Sequence, residues 1–310
     1  MVSLRDFVTK NARAAMRIAQ DLLEARPGDR LSPVAEYAAR LGVGRGTVQA
    51  ALRLLQDSGA VRLVPRGHMG TFVERVDRAA LWSLSGLGTV TGVMPLPYSQ
   101  RYRGVATGLY QAFHVAQIPL VLAHMRGARR RLEALLTRRY EFALVSKLSY
   151  EVARRERGEL CLAVDLGPGT NVREHVLLIR GPSDRITDGM RVGVDPDSID
   201  ITELTRHECA QVRVTAVEAP YTQFLGLILK GVIDAAVWDS EEGLPPREAG
   251  LKVVPLRGRA DGTAPDTSAA VLVVHRDNQT LASILRSSVD VAVVRETLDR
   301  VMRGEVLPEL

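Results

Sequence analysis

Residues 118–146 lie over residues 211–239 without a gap, at an offset of 93 positions. Leu136 then falls on Leu229, Glu141 on Asp234 and Ala143 on Ala236. Upstream, GVMP at 92–95 answers GVDP at 193–196, with the helix between them eight residues shorter in the second copy. Short apolar runs (VTGVMPLP, IPLVLAHM, YEFALVS) alternate with stretches of helical period (YRGVATGLYQAFHVAQ, RRRLEALLTRR). Each copy reads strand, helix, strand, helix, strand, an alternation that implies a parallel sheet. One such unit is a small open sheet, so two copies make two lobes. Segments 160–180 and 267–276 are apolar strands placed to cross between the lobes. The helical run from about Thr280 to Arg303 is expected to return to the first lobe.

This repeat resembles the type II periplasmic-binding-protein fold used as an effector domain, which implies an α/β architecture with a small ligand between two lobes. In open parallel sheets ligands sit beyond the carboxyl ends of the strands, against helix N-termini. The repeat places candidates there in pairs: 95–99 with 196–200, 127–130 with 220–223, and Ser146 with Asp239. The cleft is therefore expected to present Tyr98, Ser99, Arg129, Arg130, Ser146, Ser198, Tyr221, Thr222 and Asp239. RGARRRL, starting at Arg126, puts arginines in a first helical turn, where the helix dipole disfavours cations. A solvated charged rim is the ordinary outcome. The alternative is an anionic ligand held by Arg129 or Arg130, its charge offsetting the dipole cost.

The amino-terminal quarter has a different texture. At 310 residues the chain exceeds what one core organises. Its net charge of +5 is confined to residues 1–75, which carry twelve Lys/Arg against seven Asp/Glu, while the remainder holds twenty-nine of each. A local basic excess favours a polyanion, because each phosphate neutralised releases condensed counterions. In LGVGRGTVQAALRLLQ (41–56), Val48, Ala51, Leu52 and Leu55 share one helix face and Arg45, Gln49 and Arg53 the opposite one. Most surface helices have such a polar face, so the neighbours decide. Residues 4–25 form an amphipathic helix with Phe7, Ala14, Ile18, Leu22 and Ala25 near one stripe, ended by RPGD. Ser32 caps a second helix with Pro33 at its first position. After the 41–56 helix come strand Val61 to Val64, a turn from Pro65 to Gly70, and strand Thr71 to Val73. The order is that of a winged helix-turn-helix.

Leu41-Gly42-Val43-x-Arg45-x-Thr47-Val48-x-x-Ala51-Leu52-x-x-Leu55, with Gly28, Leu31, Gly59-x-Val61 and Gly67-x-x-Gly70-Thr71-Phe72-Val73, resembles the GntR-type DNA-binding domain. With the repeat behind it, the chain looks like the YhfZ-type subgroup of GntR-like regulators. The resemblance implies that Arg45, Thr47 and Gln49 face double-stranded DNA, and that the wing tip around His68 follows the minor groove. Arg53, Arg66 and Gly67 complete the expected interface. Gly44, Gly46, Gln49 and Ala35 depart from the family pattern, so no operator sequence carries over. The missing arginine at 49 implies a weaker guanine preference there.

Other classes find less support. The six histidines (His68, His114, His124, His175, His207, His275) form no metal spacing, and Gly-x-Ser-x-Gly is absent. His207 with Cys209 gives two candidate ligands where a site needs three or four. Asp195, Asp197 and Asp200 read as turn and cap residues before a cation site. Gly86-x-Gly88 precedes its strand, unlike a dinucleotide loop. Cys161 and Cys209 match no redox spacing and read as buried thiols. MVSLRDFVTKNARAAM carries charges where a signal peptide needs an apolar run, so no leader is expected, and no run of eighteen apolar residues occurs. The expected protein is cytoplasmic, without cofactor or metal and without contact to membrane. Its expected domains are a winged helix-turn-helix at 1–75, a linker at 76–88 and a two-lobed effector domain at 89–310, with the second lobe about 167–262. It is expected to act as a homodimeric, ligand-responsive regulator. An enzyme on the same fold with a DNA-binding appendage is the alternative.

Overall fold

Thr9 ends extended backbone and accepts the Ala12 N–H through its hydroxyl, so helix α1 starts at Lys10 and runs to Leu22. The computed structural model describes residues 9–243, 250–257 and 266–309. Phe7, expected on the stripe of this helix, lies outside those residues, as do 258–262 at the expected end of the second lobe. Ala14, Ala15, Ile18, Ala19 and Leu22 form the buried face of α1. Helix α2 (Val34–Leu41) differs from the expected capping. Pro33 stands at the cap with ψ of 145°, outside the helical region, and no side chain closes the end. Gly42 takes the left-handed conformation that turns the chain into α3 (Arg45–Asp57). Strands β1 (Val61–Pro65) and β2 (Thr71–Val76) pair antiparallel around a 3-10 turn at Gly67–Met69, completing the wing. Helix α4 (Arg78–Ser85) follows, capped by Asp77 and packed on α1 through Leu81 and Trp82. Gln20 Nε2 donates to the Ser85 carbonyl at 2.9 Å. The stretch after the wing is thus largely helical.

The chain forms two compact units, one reaching through Val90 and including 113–121 and 287–289, the other comprising the remaining residues. The second unit holds the repeat apart from Val90 and 113–121. Its first copy is β3 (Val90–Met94), α5 (Gln100–Val115), β4 (Leu120–His124), α6 (Ala128–Leu136) and β5 (Phe142–Ser146). After α7 (Lys147–Glu156) and β6 (Leu160–Asp165), β7 (His175–Arg180) enters the other sheet. The second copy is β8 (Arg191–Val194), α8 (Ile199–Glu208), β9 (Thr215–Glu218), α9 (Phe224–Leu229) and β10 (Ala235–Asp239). Strand β11 (Leu251–Pro255) precedes β12 (Ala270–His275), which returns to the first sheet before α10 (Gln279–Ser288) and α11 (Val291–Met302).

The two sheets have matching orders, β4-β3-β5-β12-β6 and β9-β8-β10-β7-β11. In each, the third strand of the repeat pairs antiparallel with a strand delivered from the other lobe, β12 with β5 and β7 with β10. The offset of 93 maps β5 onto β10 residue for residue. Helices α5 and α8 have sixteen and ten residues, so helix length accounts for six of the eight missing positions. Helix α11 does return to the first lobe: Leu298 and Val294 lie where a Cβ on Gly104 or Gly108 would strike them. Strands β5, β10 and β12 are buried nearly throughout, as strands covered on both faces must be. Cys161 and Cys209 are free and only half-buried.

Candidate functional site

In the first unit, α3 divides as its period requires. Val48, Ala51, Leu52 and Leu55 are buried, whereas Arg45, Gln49 and Arg53 are exposed, and their side chains make no hydrogen bond or ion pair with any described residue. Thr47 is half-buried at the start of the same face. Gly44 caps α3 without a side-chain acceptor, and a Cβ at Gly44 or Gly46 would meet nothing within 4 Å. The packing does not require these glycines. They leave the backbone amides of the first turn open to close approach. Lys10, Arg13 and Arg17 of α1 line an open groove of about 930 Å³ with Gly44, Arg45 and Thr47. On the wing, Arg66, Gly67 and His68 are exposed, and the Arg66 guanidinium lies 4.7 Å from the Phe72 ring centroid. Among the described residues, all seven side chains or turns expected at DNA therefore lie at or near the surface of this unit.

In the second unit a cavity of about 80 Å³ lies between the two sheets. Its walls come from the carboxyl ends of β3, β4, β5, β8 and β10, where chain reversal between neighbouring strands opens a crevice. Of the residues expected there, Tyr98, Ser146, Ser198, Tyr221 and Asp239 line it. Ser99, Arg129, Arg130 and Thr222 do not. Ser99 is buried, its hydroxyl accepting the Tyr102 N–H at the start of α5. Arg129 and Arg130 point off the exposed side of α6. Arg129 reaches the Pro196 carbonyl and Glu156, and Arg130 pairs with Asp197 at 2.8 Å. Thr222 is exposed on the short 3-10 turn before α9.

The cavity's strongest groups are others. Arg131 is 6% exposed, one helix position past the arginines that sequence selected. Its Nε donates to the Leu144 carbonyl at 3.0 Å and its Nη1 to the Met125 carbonyl at 2.9 Å. Burial lowers this guanidinium to about 10. The phase of α6 carries the signal: Ala128, Arg131, Leu132 and Leu135 share one stripe, and Arg129 and Arg130 leave it. Asp200 is half-buried on the cavity wall; Ser146 and Ser149 hydroxyls donate to its Oδ1 at 2.5 and 2.7 Å. Burial raises its carboxyl, and those donors with Arg131 pull it back. Asp239 rises to about 6, chiefly through burial. Glu242 rises to about 8, through burial first and the neighbouring Asp239 charge second. The Tyr221 ring stacks on Trp238 at 4.8 Å, and its hydroxyl accepts the Asp239 N–H. Glu242 lies outside the repeat, where no sequence symmetry points to it.

Polar groups of the protein bridge the two lobes around this cavity. Arg126, after β4, places Nη1 2.6 Å from Asp195 Oδ2 and Nη2 2.6 Å from Asp197 Oδ2, both after β8. Asp195, 1% exposed, also accepts the Tyr221 N–H. Arg101 forks onto both carboxylate oxygens of Glu241 at 2.7 Å. Ile199, from α8, is buried within the first lobe's apolar cluster beside Val93 and Leu132. Gly127 takes φ of 79°, and a Cβ there would come within 2.7 Å of Asp197. Of the three aspartates read from sequence as turn and cap residues, Asp195 and Asp197 are therefore also ion-pair partners across the cleft, and Asp200 is held across it by the Ser146 and Ser149 hydroxyls. Tight loops and interlobe pairing need the same residue type, and sequence alone does not separate them.

Comparison with known proteins extends these observations. Residues 77–310 match the model of the YhfZ C-terminal domain family, and residues 26–73 match a helix-turn-helix domain. The chain is 35% identical over 305 residues to the YhfZ protein of Escherichia coli K12, covering 98% of this chain and 99% of that one. The crystal structure of YhfZ from Shigella flexneri superposes with a TM-score of 0.63 at 34% identity, covering 76% of this chain and 98% of that one. An ancestral arginine-binding protein bound to arginine shares the fold at 13% identity and a TM-score of 0.50, covering 70% of this chain and 97% of that one.

Proposed function

The chain belongs to the YhfZ family, with a helix-turn-helix domain ahead of a domain of binding-protein-like fold, and on that premise we propose that it is a ligand-responsive, DNA-binding transcriptional regulator. The observation that carries the proposal is the exposed face of α3. Arg45, Gln49 and Arg53 are held on a helix whose other side is packed, and no described residue neutralises the two charges. An α-helix fits the major groove, where a guanidinium can fork onto guanine or phosphate and an amide can pair with adenine. The motif supports a GntR-like docking mode, with Arg66, Gly67 and His68 of the wing on the adjoining groove. We place the reading domain at 1–75, a connecting stretch at 76–88 and the sensing domain at 89–310, with the second lobe about 167–262.

The effector occupies the cavity between the lobes, against Tyr98, Ser146, Ser198, Tyr221 and Asp239 together with Arg131 and Glu242. Binding there changes the balance between lobe arrangements by as much as the ligand's affinities for them differ. In a homodimer reading two half-sites, such a change alters how two recognition helices meet DNA. The protein senses its ligand and does not transform it, and it works in the cytoplasm beside its DNA. No helix among the described residues is long and apolar enough to cross a membrane. The test is selection from a random duplex pool by the purified full chain at low ionic strength. The expected outcome is enrichment of a sequence with two symmetric half-sites. Failure to retain any duplex overturns the proposal.

A further inference from the structure

A fixed guanidinium, Arg131, and a pair of acids, Asp239 and Glu242, line one small cavity without an ion pair between them among the described residues. Arg131 is buried and pinned by the Leu144 and Met125 carbonyls; Asp200 of the same cavity attracts it but makes no direct ion pair with it, its Oδ1 being taken by the Ser146 and Ser149 hydroxyls. Asp239 and Glu242 line the same cavity, crowd each other electrostatically and find no ion-pair partner among the described residues. Arg126, the other cavity arginine, is committed to Asp195 and Asp197. A fixed guanidinium cannot swing across to the two acids, so the opposite charges remain apart.

We propose that the cavity binds a small zwitterion, its carboxylate received by Arg131 and its ammonium group by Asp239 and Glu242. This rests on the reading of the cavity as the effector site and adds the chemical class of the effector. A ligand bearing only one charge would use either the guanidinium or the acid pair, and so forgo one of the two charge-assisted contacts that a zwitterion makes. Among the described residues no group of three or more His, Cys, Asp or Glu could hold a metal ion, so an organic ammonium is the fitting cation. The Tyr98 hydroxyl is buried without a hydrogen-bond partner among the described residues. Tyr98 and Tyr102 line the same cavity, within electrostatic reach of Arg131 and of Glu242. Tyr98 is thereby free to donate to the ligand's carboxylate. The cavity's 80 Å³ has room for several waters, each needing roughly 10–15 Å³ on this measure. A small amino acid such as glycine or alanine is a probe of this scale.

The binding carries a proton signature. With Glu242 lifted to about 8 and Asp239 to about 6, the pair retains a proton at neutral pH. An arriving ammonium favours both carboxylates ionised, so that proton leaves on binding.

The experiment is calorimetric titration of the full chain at pH 7 with glycine and L-alanine. Acetate and propionate serve as single-charge anions, methylamine and ethylamine as single-charge cations. Two buffers of different ionisation enthalpy are used. The expected result is binding by a zwitterion at least about tenfold tighter than by either single-charge series. Proton release should make the heat depend on the buffer. Glu242→Gln should weaken the zwitterion about tenfold or more and remove most of the release. Because a buried arginine variant can fail to fold, Glu242→Gln is accompanied by Arg131→Lys, which keeps the charge and loses the fork; it should weaken the zwitterion and propionate alike. Equal binding by amine and zwitterion, equal binding by carboxylate and zwitterion, or no binding by any probe in the millimolar range overturns the proposal. Duplex selection with the same preparation separates the two readings. A chain that retains DNA but ignores zwitterions loses only the ligand class, and one that binds zwitterions but no DNA loses only the regulator.

Discussion

Glu242→Gln should flatten the dependence of stability on pH. In the folded protein burial and Asp239 lift the Glu242 carboxyl to about 8, while in the unfolded chain it titrates near 4.5. Between those values the folded state holds a proton that the unfolded chain has already released. Stability is therefore fully present below about pH 4.5 and is lost as pH rises through about 8. The full gap corresponds to at most ~5 kcal/mol. Sharing the proton with Asp239 and partial exposure to solvent reduce the expected loss to roughly 2 to 3 kcal/mol. For a unit of this size that is a fall of about 5 to 10 °C in Tm. Other carboxyls raised by burial, such as Glu141, Asp200 and Glu208, contribute equally to both proteins and cancel in the difference. The assay is thermal unfolding from pH 5 to 9, followed by tryptophan fluorescence in a Trp82→Phe background, which leaves Trp238, buried against Tyr221, as the reporter. Wild type should lose stability steeply where Glu242→Gln does not. Parallel curves would show that Glu242 ionises normally and that the cavity acids are not desolvated.

Arg126→Ala leaves Asp195 buried and unpaired, so it should cost about 3 kcal/mol and speed hydrogen exchange at residues 195–201; unchanged exchange would mean the bridge does not hold the lobes. Gly127→Ala should lower Tm by several degrees, because the residue has φ of 79° and its Cβ would press on Asp197. Gly46→Ala should do the reverse, stabilising α3 by about 1 kcal/mol while weakening DNA binding, since only an approaching phosphate backbone uses that open space; tighter binding would contradict this role. Arg45→Ala and Arg53→Ala should each make the salt dependence of DNA binding shallower, by about one counterion for every phosphate left without its guanidinium.

The architecture was legible where a period or a repeat expressed it. Burial of Val48 and Leu55 opposite exposed Arg45 and Arg53 follows from a 3.6-residue period. The match of β5 with β10 follows from the offset of 93. The same offset pairs Ser146 with Asp239 on the cavity wall and Arg129 with Thr222 off it, so the symmetry is kept even where the expected role was not. Arg131 was missed for Arg129 and Arg130 because all three open the same turn, and only the phase of α6 distinguishes inside from outside. Arg126 and Glu242 sit in loops after strands, where no periodicity constrains direction. Their roles arise from three-dimensional pairing with Asp195, Asp197 and Asp239. The reading of Ser32 as a cap failed for a local reason: extended Pro33 already occupies that position.

The link between cavity and DNA is tested most directly by one fluorescence-anisotropy titration. The duplex enriched by selection is titrated with wild type and with Arg126→Ala, at one salt concentration. With the interlobe bridge removed and the first unit untouched, the two affinities should differ by about fivefold or more. Equal affinities, or no binding by either protein, would contradict a regulator governed by its lobes.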